Sequence, residues 1–286
     1  MSASRLAPFA LLLVLIASAP LRAEAPAGPL AVTELGKGPA IVLLPGLGSQ
    51  RMQWMPTARK LLSSYHVVMV DLPGHGDSPM PDPFSFEAAA AQLDAVLAKQ
   101  NPDSTIVVAH GVGGLIAVLE AKAHPERMRG LIAIDASMRS PLPISDQQKP
   151  AFFKFVDENY DTFLKTVYRS MGRDSAQGVE IYSKAALVPS ANVKTYVRLL
   201  LDVDESGAAR SLKVPTLYVG SSRAWPDTVS WASVAKTRGW DGATQVRTAR
   251  IANSGYLMMV DQPDSLAATI ASFARDAYSR EKMAKN

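Results

Sequence analysis

Residues Thr105–Leu115 read Thr-Ile-Val-Val-Ala-His-Gly-Val-Gly-Gly-Leu. The β-branched run Thr105–Val108 predicts a buried strand, and the pattern Leu115–Lys122 predicts a helix. A few small residues join them, so strand and helix nearly collide. Positions two before and two after the apex must then be small, and Ala109 and Gly113 meet that demand. The apex, Gly111, is forced into backbone geometry that costs a non-glycine residue about 1–3 kcal/mol. Glycine takes up positive φ without that cost.

The same alternation runs through the chain. Apolar strands are predicted at Ala40–Leu44, His66–Val70, Gly130–Ile134 and Val214–Val219, with a weakly alternating edge strand at Leu30–Leu35 and a last strand at Thr244–Ile251. Helical spacing falls at Met55–Ser63, Phe86–Lys99, Gly114–Ala123 and Pro263–Tyr278. Strands alternating with amphipathic helices imply an α/β fold, a mostly parallel sheet with helices on both faces. The alternation pauses from about Pro141 to Val214, where Pro150–Tyr168 and Asn192–Asp202 read as helices. This stretch carries Phe152, Phe153, Phe155, Tyr160, Phe163, Tyr168, Tyr182 and Tyr196. It is expected to cover the carboxyl end of the sheet, its aromatics either lining a ligand or packing on the main domain. With 286 residues, 48% of them apolar, the chain can bury one large core with an inserted subdomain. The division expected is residues 24–140 and 208–286 as the core domain, with 141–207 as a helical cap.

Met1–Ala23 reads as an export signal: Arg5 precedes the apolar run Ala7–Ser18, and Ala23 offers a small residue for cleavage. Cleavage after Ala19 or Ala25 fits as well, and an uncleaved anchor is the alternative, though the apolar run is short for a span. The chain has no cysteine, which removes disulfides, a thiol nucleophile and a lipid-modified cysteine, and suits an oxidising compartment. A periplasmic or secreted protein is expected, without stable membrane insertion once the signal is removed. The formal charge of +4 is dispersed with no basic stripe, so no nucleic-acid partner is expected.

From about Gly38 to the C-terminus the chain resembles the α/β-hydrolase superfamily, in its esterase and lipase-like members. The resemblance is carried by Leu43-Leu44-Pro45-Gly46-Leu47-Gly48, Val70-Asp71-Leu72-Pro73-Gly74-His75-Gly76-Asp77-Ser78, Val108-Ala109-His110-Gly111-Val112-Gly113-Gly114, Val214-Pro215-Thr216-Leu217-Tyr218-Val219-Gly220 and Asn253-Ser254-Gly255-Tyr256. It implies an α/β-hydrolase fold in which the Thr105–Leu115 turn is the nucleophile elbow. The family's nucleophile position then falls on Gly111, its acid position on Arg223 and its histidine position on Tyr256. The histidines are His66, His75, His110 and His124, so none lies in the last half of the chain, where the order Ser…Asp/Glu…His needs one. Acyl transfer by that triad needs a nucleophile, an adjacent base and a group that orients the base. The resemblance also implies an oxyanion hole from the N–H groups of Leu47 and Val112, with Gly46 in the same loop. His110 is expected to point away from the apex into the sheet or core. His75 lies in a turn that the family keeps largely for structure.

Displaced groups are the alternative. Asp135 and Asp227 are candidate acids, and Ser137, Ser221 and Ser254 candidate nucleophiles, although turns favour both residue types on their own account. Gly111-Val112-Gly113 with Asp135 also outlines a dinucleotide-binding unit, but its third glycine position is Ile116. Three functions follow: a non-hydrolytic binder of a small apolar or acyl-type ligand bearing a carbonyl or carboxylate, a carboxylic-ester hydrolase using displaced residues, or a protein-interaction scaffold. None calls for a cofactor or a metal.

Overall fold

The structure is a computed structural model that describes residues 28–142 and 144–284. The export signal read over Met1–Ala23 lies outside the described residues. In chain order come β1 (Val32–Gly36), β2 (Ala40–Leu44), α1 (Met55–Leu61), β3 (His66–Val70), α2 (Phe86–Leu97), β4 (Ile106–His110), α3 (Val112–Ala123) and β5 (Gly130–Ile134). Then follow α4 (Lys149–Glu158), α5 (Tyr160–Arg169), α6 (Ser175–Ala185), α7 (Ser190–Leu200) and α8 (Ser206–Ser211). The chain ends with β6 (Thr216–Ser221), α9 (Trp231–Arg238), β7 (Arg247–Ile251), α10 (Met258–Asp261) and α11 (Pro263–Ala284).

The strands form one sheet in the order β1-β3-β2-β4-β5-β6-β7. It is parallel from β3 through β7, and β1 runs antiparallel on the edge. The inner strands β2, β4, β5 and β6 are buried along their whole length, as their unbroken apolar runs predict. Alternate residues feed opposite cores. Val42, Val107 and Leu131 pack with Leu93 of α2 and Leu115 of α3, while Ile41, Val108 and Ile132 pack with Leu61 of α1 and Phe273 of α11. No helix among the described residues is long and apolar enough to cross a membrane.

The sheet order reverses between β2 and β4: β2 leads to β3 on one side, and β4 lies on the other. Loops leaving two such strands diverge above the sheet and open a crevice at their carboxyl ends. The loops meeting there are Pro45–Ser49 and the turn at Gly111.

Two helical expectations change. The continuous pattern Pro150–Tyr168 is two helices, broken at Asn159, whose backbone (φ −127°, ψ 40°) leaves the helical region. Helices α6 and α9 have no counterpart in the sequence reading. Gly178 interrupts the apolar spacing of α6 for a packing reason: a Cβ there would stand 2.4 Å from the Arg169 carbonyl oxygen.

Candidate functional site

Gly111 has φ 53° and ψ −121°, and serves as the N-cap of α3. Its N–H donates to the Ile134 carbonyl (2.9 Å), and its carbonyl accepts from Gly114 (3.0 Å) and Leu115 (3.3 Å). The turn is therefore pinned between β5 and the first turn of α3. Crowding falls where the sequence puts glycines. A Cβ at Gly113 would stand 2.4 Å from the Pro45 carbonyl oxygen, and one at Gly114 would stand 2.5 Å from the Ala136 Cβ. At Gly111 a Cβ would meet only the Gly46 Cα, at 3.7 Å. The space at the apex is open, and the crowding falls on the positions beside it.

Beside the apex, the loop after β2 passes close to the start of α3 through Pro45 and Gly46, and Leu47 and Val112 line the same cavity. Neither the Leu47 nor the Val112 N–H has an acceptor among the described residues. Two free donors, one of them at a helix N-terminus, favour an oxyanion or a polarised carbonyl. The loop is fixed from below by the turn after β3. The Gly48 N–H donates to His75 Nε2 (3.1 Å), and His75 Nδ1 faces the Pro73 carbonyl oxygen (3.0 Å). That pairing needs a neutral ring protonated on Nδ1, and burial lowers the pKa of His75 from its ordinary value. Asp71 accepts the Arg51 N–H (2.6 Å) and the Asp77 N–H (3.2 Å), closing the same turn.

Tyr256 closes the site from the other side. Its hydroxyl donates to the Leu47 carbonyl oxygen (2.8 Å), and its ring lies 4.7 Å from the His110 ring in an edge-on arrangement. Gly46 has no room for a Cβ because that atom would stand 2.7 Å from both His110 Nδ1 and the Tyr256 hydroxyl. The expectation for His110 is thus corrected: its side chain lines the cavity beneath the Pro45–Ser49 loop. It does so because Tyr256 and Gly46 leave the ring a slot on that side. His110 is fully buried, and neither ring nitrogen has a hydrogen-bond partner among the described residues. Burial, with Arg238 nearby, lowers its pKa to about 4.

These groups line the floor of a cavity of about 760 Å³. Its upper wall is apolar and comes from α5 and α7, with Phe163, Val167, Tyr168, Val193 and Val197. Of the eight aromatics noted in the sequence, Phe163 and Tyr168 line it. Tyr196 packs below, its hydroxyl on the Pro73 carbonyl (3.0 Å), and Tyr182 bonds Asp161 (2.5 Å). Arg223 lines the cavity from an exposed position and donates to the Ser170 carbonyl at the end of α5 (2.8 Å). Arg238, which the sequence gave no reason to single out, lines it too and donates to the Asp135 carbonyl (2.8 Å).

The displaced candidates are arranged as follows. Asp135 has φ 49° and lines the cavity, and its carboxylate accepts the Ser221 N–H (2.8 Å) while burial raises its pKa. Ser137 donates to the Arg139 carbonyl (2.8 Å), and Ser254 to the Ile251 carbonyl (2.6 Å). The Ser221 hydroxyl accepts the Ala224 N–H (3.0 Å). None of the three serines bonds a histidine among the described residues. Asp227 is exposed and ion-paired with Arg250. His66 pairs with Glu34 (3.0 Å) and His124 with Glu126 (3.3 Å), both away from the cavity. The dinucleotide outline fails on Ile116, which is buried in the core, and on the Asp135 carboxylate, which is held by Ser221.

A model of the alpha/beta hydrolase family matches residues 41–269. This chain belongs to that family. Among curated relatives, the pimeloyl-[acyl-carrier protein] methyl ester esterase of Vibrio parahaemolyticus is 30% identical over 197 residues, 64% of this chain and 74% of that protein. The enzyme of the same description from Nitrosospira multiformis is 26% identical over 265 residues, 85% of this chain and 97% of that protein. A solved hydrolase from Oleispira antarctica superposes with a TM-score of 0.73 at 16% identity, covering 85% of this chain and 94% of that one. The fold is therefore that of an α/β hydrolase, and the residue at the turn between β4 and α3 is glycine.

Proposed function

We propose that the chain is a non-hydrolytic member of its family that binds a small, partly apolar ligand with a carbonyl or carboxylate head. The observation that carries this reading is the apex: Gly111 keeps elbow geometry and has no side chain to attack an acyl carbon. Tyr256, aligned with the family's histidine, donates its hydroxyl to the Leu47 carbonyl, and burial holds its phenol well above the ordinary range. It is therefore a fixed neutral donor rather than a base. Arg223, aligned with the acid, brings a positive charge to the cavity wall. The ligand head sits on the Leu47 and Val112 N–H groups, and its apolar part lies under α5 and α7. The cavity volume is in the range that takes a ligand of drug size. In this reading residues 141–207 act as a cap over a core of 24–140 and 208–286, and the export signal read over Met1–Ala23 supports a periplasmic or secreted protein.

An ester hydrolase using displaced groups is the second reading. It is favoured by the esterases among the relatives and by Asp135 in the cavity. One pair of measurements separates the two. The purified chain is incubated with p-nitrophenyl butyrate and a fluorophosphonate probe, and its melting temperature is followed with octanoate and methyl octanoate. The binder reading expects no turnover, no labelling and a rise in melting temperature. Stoichiometric labelling of Ser137, Ser221 or Ser254 with turnover establishes the hydrolase instead. Neither turnover nor stabilisation leaves a scaffold that has lost its ligand.

A further inference from the structure

On the side of the sheet covered by α2 and α3, Asp94 of α2 meets Glu120 near the end of α3 and His124 just after it. A carboxylate oxygen from each acid and one imidazole nitrogen lie within 4.8 Å of one another. Glu120 is only 1% exposed, yet its Oε1 has no hydrogen-bond partner among the described residues. A buried carboxylate without a partner is costly as an anion and needs a proton or a cation. The adjacent guanidinium attracts Glu120 through space but makes no hydrogen bond to it among the described residues, because Arg127 Nε donates to Asp94 Oδ1 (2.5 Å). That bond occupies one oxygen of Asp94 and leaves the other as a donor. His124 and Asp94 are partly exposed, with side chains 46% and 25% accessible, so both can close on an ion and the ion can enter from solvent.

We propose that Asp94, Glu120 and His124 form a binding site for a divalent transition-metal ion, with zinc the best match. The carboxylate oxygens are hard donors, but the imidazole nitrogen favours Zn²⁺ over Ca²⁺ or Mg²⁺, and zinc takes carboxylate oxygen beside imidazole. Tetrahedral zinc holds such donors about 2.0–2.2 Å from the metal. The two flexible donors therefore draw inward on binding while Glu120 stays fixed in the helix packing. The fourth position falls to water. His124 is also paired with Glu126 at 3.3 Å, a carboxylate partner of the kind that orients metal-binding imidazoles. The site joins the C-terminal halves of α2 and α3, so the ion acts as a clamp between two helices that cover one face of the sheet. Its role is structural and independent of the cavity ligand.

The test is zinc uptake by chelator-treated, tag-free full-length protein, read by isothermal titration calorimetry and by the shift in melting temperature. One Zn²⁺ per chain is expected with micromolar or tighter affinity, together with a higher melting temperature. Glu120→Gln and His124→Ala are each expected to weaken uptake at least tenfold. His124 is at the surface, so His124→Ala keeps the fold intact should Glu120→Gln not do so. Absence of uptake by the wild type, or uptake that His124→Ala leaves unchanged, overturns the proposal. So does a folded Glu120→Gln variant that binds zinc as the wild type does, since Glu120 then carries a proton rather than a metal.

Discussion

At Gly111 the strain and the crowding of an elbow come apart. Positive φ disfavours any side chain, but the space around the missing Cβ is open apart from the Gly46 Cα at 3.7 Å. Gly111→Ser is therefore expected to fold, losing about 1–3 kcal/mol from backbone strain alone. Gly113→Ser is expected to lose more, since its Cβ must displace the Pro45 carbonyl of the oxyanion loop. Urea midpoints of the two variants check the order, and a Gly111→Ser loss as large as that of Gly113→Ser counts against the open apex. His110 gives a second handle. Its folded value of about 4 lies below the ordinary 6.5, so between these values the unfolded chain holds a proton that the folded chain does not. Stability therefore rises with pH through that window and falls as pH drops from 6.5 toward 4, by about 3 kcal/mol for this one group. His110→Gln is expected to flatten the difference between urea stabilities at pH 7 and pH 4 by that amount. Equal pH dependence in both proteins means that the ring is solvated in the folded state.

Among the elements, α6 is where packing overrides propensity. A glycine in a helix interior ordinarily costs roughly 0.5–1 kcal/mol relative to alanine. At Gly178 the close approach of the Arg169 carbonyl, 2.4 Å from a would-be Cβ, reverses the sign. Gly178→Ala is expected to destabilise by about 1–3 kcal/mol through overpacking, measured as a lower urea midpoint, and any stabilisation shows that α5 and α6 are further apart. This residue also explains what was legible. The inner strands were readable because burial on both faces writes an unbroken apolar run. The turns of the site were readable because crowding selects glycine there, from the His110 and Tyr256 side chains at Gly46 and from the Pro45 carbonyl at Gly113. Helix α6 was not readable, because its spacing is broken by a glycine whose reason lies in another helix. His110 and Arg238 were hidden for a related cause. Their place in the cavity depends on Tyr256 and Asp135, which are distant in sequence and are brought up by the sheet order.

For the whole molecule, the question is how much of a hydrolase site the fold still positions once its reacting groups are gone. The sheet holds the elbow against β5, and the His75 turn holds the loop that carries Leu47. If that frame is intact, substitution at three aligned positions restores chemistry: Gly111→Ser, Arg223→Asp and Tyr256→His together. Gly111→Ser alone is expected to do little, because a hydroxyl without a base is a weak nucleophile. The triple variant is expected to hydrolyse p-nitrophenyl butyrate measurably faster than the single one. It should still fall well short of an evolved esterase, since a misplacement of about 1 Å costs on the order of a hundredfold. Two features set that shortfall. Tyr256→His removes the hydroxyl that anchors the Leu47 carbonyl, and position 223 faces the exposed edge of the cavity rather than its floor. Asp135, already in the cavity, is the better-placed acid, so Gly111→Ser with Tyr256→His is expected to match the triple variant. A folded triple variant no faster than Gly111→Ser alone means that the loops after β6 and β7 no longer aim at the apex, and the scaffold reading then gains over the binder.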